Sequence, residues 1–72
     1  MITVNGFEYS WEEGMTAESM LAMLKEEGKF NYLLTPFMML IVNNGFVPAS
    51  EYPQKAILDG DRIKLSLEVT GG

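Results

Sequence analysis

The sequence predicts an α+β domain in which a small mixed sheet packs on a single helix. Three observations carry this. The opening "MITVNGFEYSW" alternates with period two around an Asn-Gly pair. One stretch, "GMTAESMLAMLKEEGK", changes to a spacing of three and four. The closing "RIKLSLEV" alternates again without interruption. One helix over a few strands gives two layers, the smallest arrangement that hides an apolar sheet face.

In the opening segment, Ile2 and Val4 alternate with Thr3 and Asn5, and Phe7, Tyr9 and Trp11 alternate with Glu8, Ser10 and Glu12. Asn5-Gly6 between them predicts a hairpin, because a type I′ turn needs positive φ at both central residues. In the second stretch Ala17, Met20, Leu21 and Leu24 share one helical face. Thr16 is the expected N-cap, and Glu18 sits where the helix dipole favours a carboxylate. Met15 and Met20 are placed for a hydrophobic staple, and Gly28 for the C-terminal stop.

"KFNYLLTP" reads as a loop whose apolar residues are pinned to the core, since Pro36 steers Thr35 away from helical backbone. "FMMLIVN" reads as a strand that is apolar on both faces, with Leu40 and Val42 expected toward the helix and Phe37, Met39 and Ile41 away from it. "NNG" turns the chain and "FVP" offers a short strand. "ASEYP" is a local turn, "KAIL" a candidate short edge strand, and "DGD" a turn. In the last strand Ile63, Leu65, Leu67 and Val69 face one way and Arg62, Lys64, Ser66 and Glu68 the other. The order is β-β-α-β-(β)-β. The first and last strands are expected side by side in the middle of the sheet, with the helix in a right-handed crossover after the hairpin.

Composition removes several functions. The 72 residues leave no length for a second domain, and the 47% hydrophobic content is enough for a core. Ten acidic residues against five basic ones give a net charge of -5, a field that repels nucleic-acid backbones and suits a partner protein with a basic face. No charged and apolar leader is visible, and "PFMMLIV" is too short to span a bilayer, so a cytoplasmic protein without a membrane role is expected. With no Cys and no His, the usual nucleophile–base pairs are missing. Asp59 and Asp61, Glu12-Glu13 and Glu26-Glu27 are better read as turn chemistry and solvated charge than as metal ligands. Neither an active site of the chain's own nor a bound cofactor or metal is expected.

The last residues, "SLEVTGG", leave the strand pattern at Thr70-Gly71-Gly72. A glycine pair alone is weak evidence, since ends fray. Together with this strand order it says more. The hairpin "ITVNGFEYSW", the helix "TAESMLAML", the segment "IVNNGFVPASEY", the turn and strand "LDGDRIKLSLEV" and the final "GG" resemble the sulfur-carrier family of ThiS and MoaD, β-grasp relatives of ubiquitin. "VNNGFVPASEY" is closer to ThiS, and "GKFNYLLTPFMM" is longer than the corresponding link would be.

The resemblance implies a ubiquitin-like β-grasp with a four- to five-stranded mixed sheet, residues 1–70 forming the domain and 71–72 a flexible tail. It implies a carrier for thiamine (thiazole) biosynthesis and not an enzyme. The α-carboxyl of Gly72, reached through Gly71, would be adenylated by an E1-like activating enzyme of the ThiF/MoeB type that uses ATP. Sulfur from a donor protein would then replace AMP to give a thiocarboxylate, and a synthase of the thiazole synthase type would accept it. The partner surface is expected at Phe37, Met39, Ile41, Arg62 and Lys64, running on to Val69 and Thr70. A MoaD-like carrier for molybdopterin, a ubiquitin-like modifier, and an interaction module without terminal chemistry are the other readings. A β-grasp ferredoxin is excluded, because its cluster needs Cys ligands.

Overall fold

A computed structural model describes residues 1–67. Strands β1 (Ile2–Val4) and β2 (Phe7–Tyr9) form the hairpin, helix α1 (Ala17–Glu27) follows, and β3 (Met38–Val42), β4 (Gly45–Val47) and β5 (Arg62–Leu67) complete the sheet. The strand order is β2-β1-β5-β3-β4. The β1–β5 pair is parallel and central, as expected, and the other pairs are antiparallel. The fifth strand, left open by the sequence, is β4.

Both hairpins turn on positive φ: 50° at Asn5 and 86° at Gly6, then 50° at Asn43 and 69° at Asn44. Asn tolerates this backbone better than other non-glycine residues. The two turns also hold β5 from either side. Asn5 Nδ2 donates to the Leu65 carbonyl at 3.2 Å, and its Oδ1 accepts from the Leu65 N–H at 2.8 Å. Across β5, Asn43 Oδ1 accepts from the Arg62 N–H at 2.8 Å. Each carboxamide thus substitutes for a peptide group at the border of a ladder.

Helix α1 begins and ends as its sequence prescribes. The Thr16 hydroxyl accepts from the Ser19 N–H at 3.2 Å, and Ser19 Oγ accepts from the Thr16 N–H at 2.9 Å, completing a capping box. Gly28 closes the helix at φ 87°, and its N–H bonds to the Leu24 carbonyl. Ala17, Met20 and Leu24 are buried against Ile2, Val4, Leu40, Val42, Ile63 and Leu65 of the sheet, with Leu21 and Met15 packed at the margin. Phe30 and Leu33 from the 29–36 loop are buried in the same core.

The segment "KAIL" is not a strand. It makes a single bridge between Ala56 and Thr16. The Ala17 N–H bonds to the Lys55 carbonyl and the Ile57 N–H to the Met15 carbonyl. Pairing stops there because its partner turns into α1 at Ala17. Strand β2 is likewise shorter than the alternation suggests. Trp11 lies beyond it, held by its indole N–H to the Ile57 carbonyl at 2.7 Å.

Asp61 is buried, at 8% exposure. Its Oδ1 accepts from Asn43 Nδ2 and its Oδ2 from the Leu58 N–H, both at 2.8 Å. It therefore joins the 58–61 turn to the β3–β4 turn. Asp61→Ala strands both donors, so a loss of about 1–3 kcal/mol is expected. A lower urea midpoint with an unchanged slope would show it, and an unmoved midpoint would refute it.

Candidate functional site

The site is built on β5, because this strand leads toward Gly72 and is flanked on both sides by others. Its inward residues Ile63 and Leu65 are buried, while Leu67, in register with Met38, is already 40% exposed. The alternation there runs past the end of the core.

On the face away from α1, register groups the side chains. Met39 lies opposite Ser66, and Ile41 lies between Lys64 on β5 and Phe46 on β4. Directly opposed residues share a face. Met39 and Ile41 are half-buried, Arg62 and Lys64 exposed, and Phe46 is 61% exposed. The result is an apolar strip bordered by two cations. Ile41, Asn43, Asn44, Arg62, Ile63 and Lys64 line a cleft of about 120 Å³ on it. Among the described residues no carboxylate is within ion-pair distance of Arg62 or Lys64.

The structure brings together Met39, Ile41, Arg62 and Lys64 of the expected surface. Phe37 is 71% exposed but precedes β3, so it stands at the edge of this strip. Val69, Thr70, Gly71 and Gly72 lie outside the described residues, as does the division between domain and tail. Phe46 belongs to the strip and was not among the expected residues. Its signal was present in "NNGFVP": in a two-residue hairpin, the residue after Gly45 faces Ile41. The 29–36 loop does not cover the strip. Leu34 and Thr35 line a groove of about 240 Å³ with Leu21, Ala22, Lys25 and Met38, placing the loop on the helix side.

A larger cavity of about 500 Å³ lies by the end of β2, lined by Tyr9, Glu12, Glu13, Met15, Ser19 and Met23 among others. Tyr9 pairs with Ile2 at the start of β1, so this cavity is at the sheet end remote from Leu67. Partial burial, then the hydrogen bond to Glu27 at 2.6 Å and that carboxylate's charge, push the Tyr9 hydroxyl up to about 12. A folded-state value above the unfolded 10.0 means the protonated form is favoured by folding. The contribution is complete below pH 10 and is lost as pH rises toward 12. Tyr9→Phe is expected to flatten the alkaline fall in stability over that window. An identical fall in the variant would assign it to other groups. Among the described residues no three His, Cys, Asp or Glu side chains stand together as a metal site, and no helix is long and apolar enough to cross a membrane.

One helix laid on a five-stranded sheet, with parallel strands from the two ends of the chain at its centre, defines a β-grasp protein. The chain belongs to the ThiS family, whose model matches residues 2–72 and whose members are sulfur carriers, not enzymes. No curated protein matches it. Among solved structures it is similar to the crystal structure of the thiamine biosynthesis protein ThiS from Geobacter metallireducens. The TM-score is 0.73 at 18% identity, covering 99% of this chain and 97% of that one. At that identity the likeness speaks to the fold.

Proposed function

We propose that this protein carries sulfur for the thiazole of thiamine on the carboxyl of Gly72. The observation that carries the reading is the family match, which extends through Gly71 and Gly72. It favours the thiamine branch over the molybdopterin and modifier readings. The neighbour's printed function, thiamine biosynthesis, points the same way.

The chemistry follows from the electrophile required. A free carboxylate resists substitution. Attack of the Gly72 carboxylate on the α-phosphate of ATP, with pyrophosphate leaving, gives an acyl adenylate in the activating enzyme's site. Hydrosulfide released from a donor then attacks the acyl carbon, forming the C–S bond as the C–O bond to AMP breaks, and leaves a thiocarboxylate for the acceptor synthase. The carrier supplies the reacting carbonyl and a surface by which both enzymes hold it. Glu68 to Gly72 span at most ~18 Å fully extended, so any enzyme that takes this carboxyl must lie close to the Leu67 end of β5. The adjoining strip of Met39, Ile41, Phe46, Arg62 and Lys64 is the docking surface in this reading, with Phe37 at its edge and Val69 and Thr70 leading into the tail.

Incubation with the activating enzyme, ATP and a sulfur source, followed by mass spectrometry, tests the proposal. Replacement of one terminal oxygen by sulfur is the expected result; recovery only as conjugates to lysine would favour a modifier. The surface has its own test in Ile41→Asp. Ile41 is not part of the buried core, so the circular dichroism spectrum is expected to be that of the parent. A charge in the apolar strip is expected to weaken binding to the activating enzyme about tenfold or more. Unaltered affinity would place docking elsewhere.

A further inference from the structure

We propose that Asn44 is a site of spontaneous deamidation, through a cyclic imide formed with Gly45, and that the new carboxylate sits against Arg62 and Lys64. The chain has two Asn-Gly pairs, Asn5-Gly6 and Asn44-Gly45. Glycine permits the reaction best, because no Cβ hinders approach of its nitrogen to the preceding side chain. Both pairs lie in hairpin turns with positive φ at the Asn. The fold sets them apart through the side chains.

The Asn5 carboxamide is held at both its oxygen and its nitrogen by the Leu65 peptide. Its carbonyl carbon cannot swing onto the Gly6 nitrogen until both of these hydrogen bonds break. Asn43 is also held, by Asp61 and Arg62, and is followed by Asn44 and not by glycine. Asn44 is exposed, and among the described residues its carboxamide takes part in no hydrogen bond. Gly45 pairs with Val42 at the border of β4, a three-residue edge strand bonded only to β3. Opening there is local and leaves the core intact.

The step balances without an oxidant. The Gly45 amide gives its proton to solvent base, and its nitrogen bonds to Asn44 Cγ. The Cγ–Nδ2 bond breaks and nitrogen leaves as ammonia. Water then opens the imide: cleavage at Cγ gives aspartate, and cleavage at the main-chain carbonyl gives isoaspartate. Asn44 lines the same cleft as Arg62 and Lys64. The product makes the net charge of -5 one unit more negative, on a residue that lines one cleft with two of the five basic residues. Aspartate also tolerates the φ of 69° at this position.

The full chain, incubated warm at mildly alkaline pH in heavy-oxygen water, tests the modification by peptide mass spectrometry. Asn44 is expected to convert at least about tenfold faster than Asn5, the ratio that two net hydrogen bonds supply. The products should be paired aspartate and isoaspartate, each carrying one heavy oxygen. In denaturant the two sites should react at similar rates. Equal rates in the folded protein, or reaction of Asn44 only in denaturant, overturn the proposal. The charge placement is read separately in Asn44→Asp by NMR titration. The new carboxyl should titrate below the ordinary carboxylate range and return to it when Arg62→Gln and Lys64→Gln are added. An ordinary value before that addition overturns the placement.

Discussion

Adding one alanine after Gly72 is expected to abolish activation while leaving the fold unchanged. The extension moves the carboxyl by up to ~3.6 Å and introduces a Cβ where two glycines had none. A misplacement of about 1 Å at a reacting centre can cost 10²-fold in rate, so at least that loss of adenylation is expected. Deleting Gly72 shortens the reach by the same length and is expected to fail similarly. The core residues of β5, Ile63 and Leu65, lie well before either change, so the urea midpoint should be that of the parent. Pyrophosphate release with the activating enzyme reports the first step, and mass spectrometry reports the sulfur. An extended chain that is thiocarboxylated at the parental rate would return the protein to the interaction-module reading.

Leu65→Ala is expected to remove most of the stability of the domain. Leu65 is 3% exposed and belongs to the cluster that includes Leu24, Met20 and Leu40, each fully buried. Truncating a leucine in such surroundings costs about 2–5 kcal/mol, because the cavity closes only partly. A domain of this length holds only ~3–5 kcal/mol in total. Its N–H and carbonyl also receive the Asn5 carboxamide, so a shift of backbone around the cavity would disturb the clasp between β1 and β5. A urea melt decides it. An unchanged midpoint would mean that Leu65 contributes little to the core.

Much of this architecture is legible because its signals are local. The alternation of β5, the caps at Thr16 and Gly28 and the two Asn-bearing turns each lie within a few residues of what they determine. What is not legible depends on partners far along the chain. "DGD" announces a turn, yet nothing near Asp61 says that its carboxylate will meet Asn43 across 18 residues. Asn5 likewise reads as turn chemistry, and its second role depends on Leu65, 60 residues away. "FMMLIV" has apolar residues on both faces, so either face of β3 suits the core until β4 and β5 are in register beside it. "KAIL" has the residues of a strand but finds only a helix start to pair with. At the site, Met39, Ile41, Arg62 and Lys64 follow from alternation once β5 is central, whereas Phe46 requires the length of the second turn.

The position of β5 between β1 and β3 has a mechanical consequence. An enzyme that draws residues 68–72 into a channel while holding the outer strip pulls along the axis of β5. That tension loads the parallel ladder to β1, the five-residue ladder to β3 and the clasps of Asn5 and Asn43 together, in shear. An edge strand such as β4 can be unzipped one rung at a time, but a central one yields only when its bonds on both sides fail at once. Under the proposed function, a pull on the tail is therefore carried by the element of the sheet best placed to resist it.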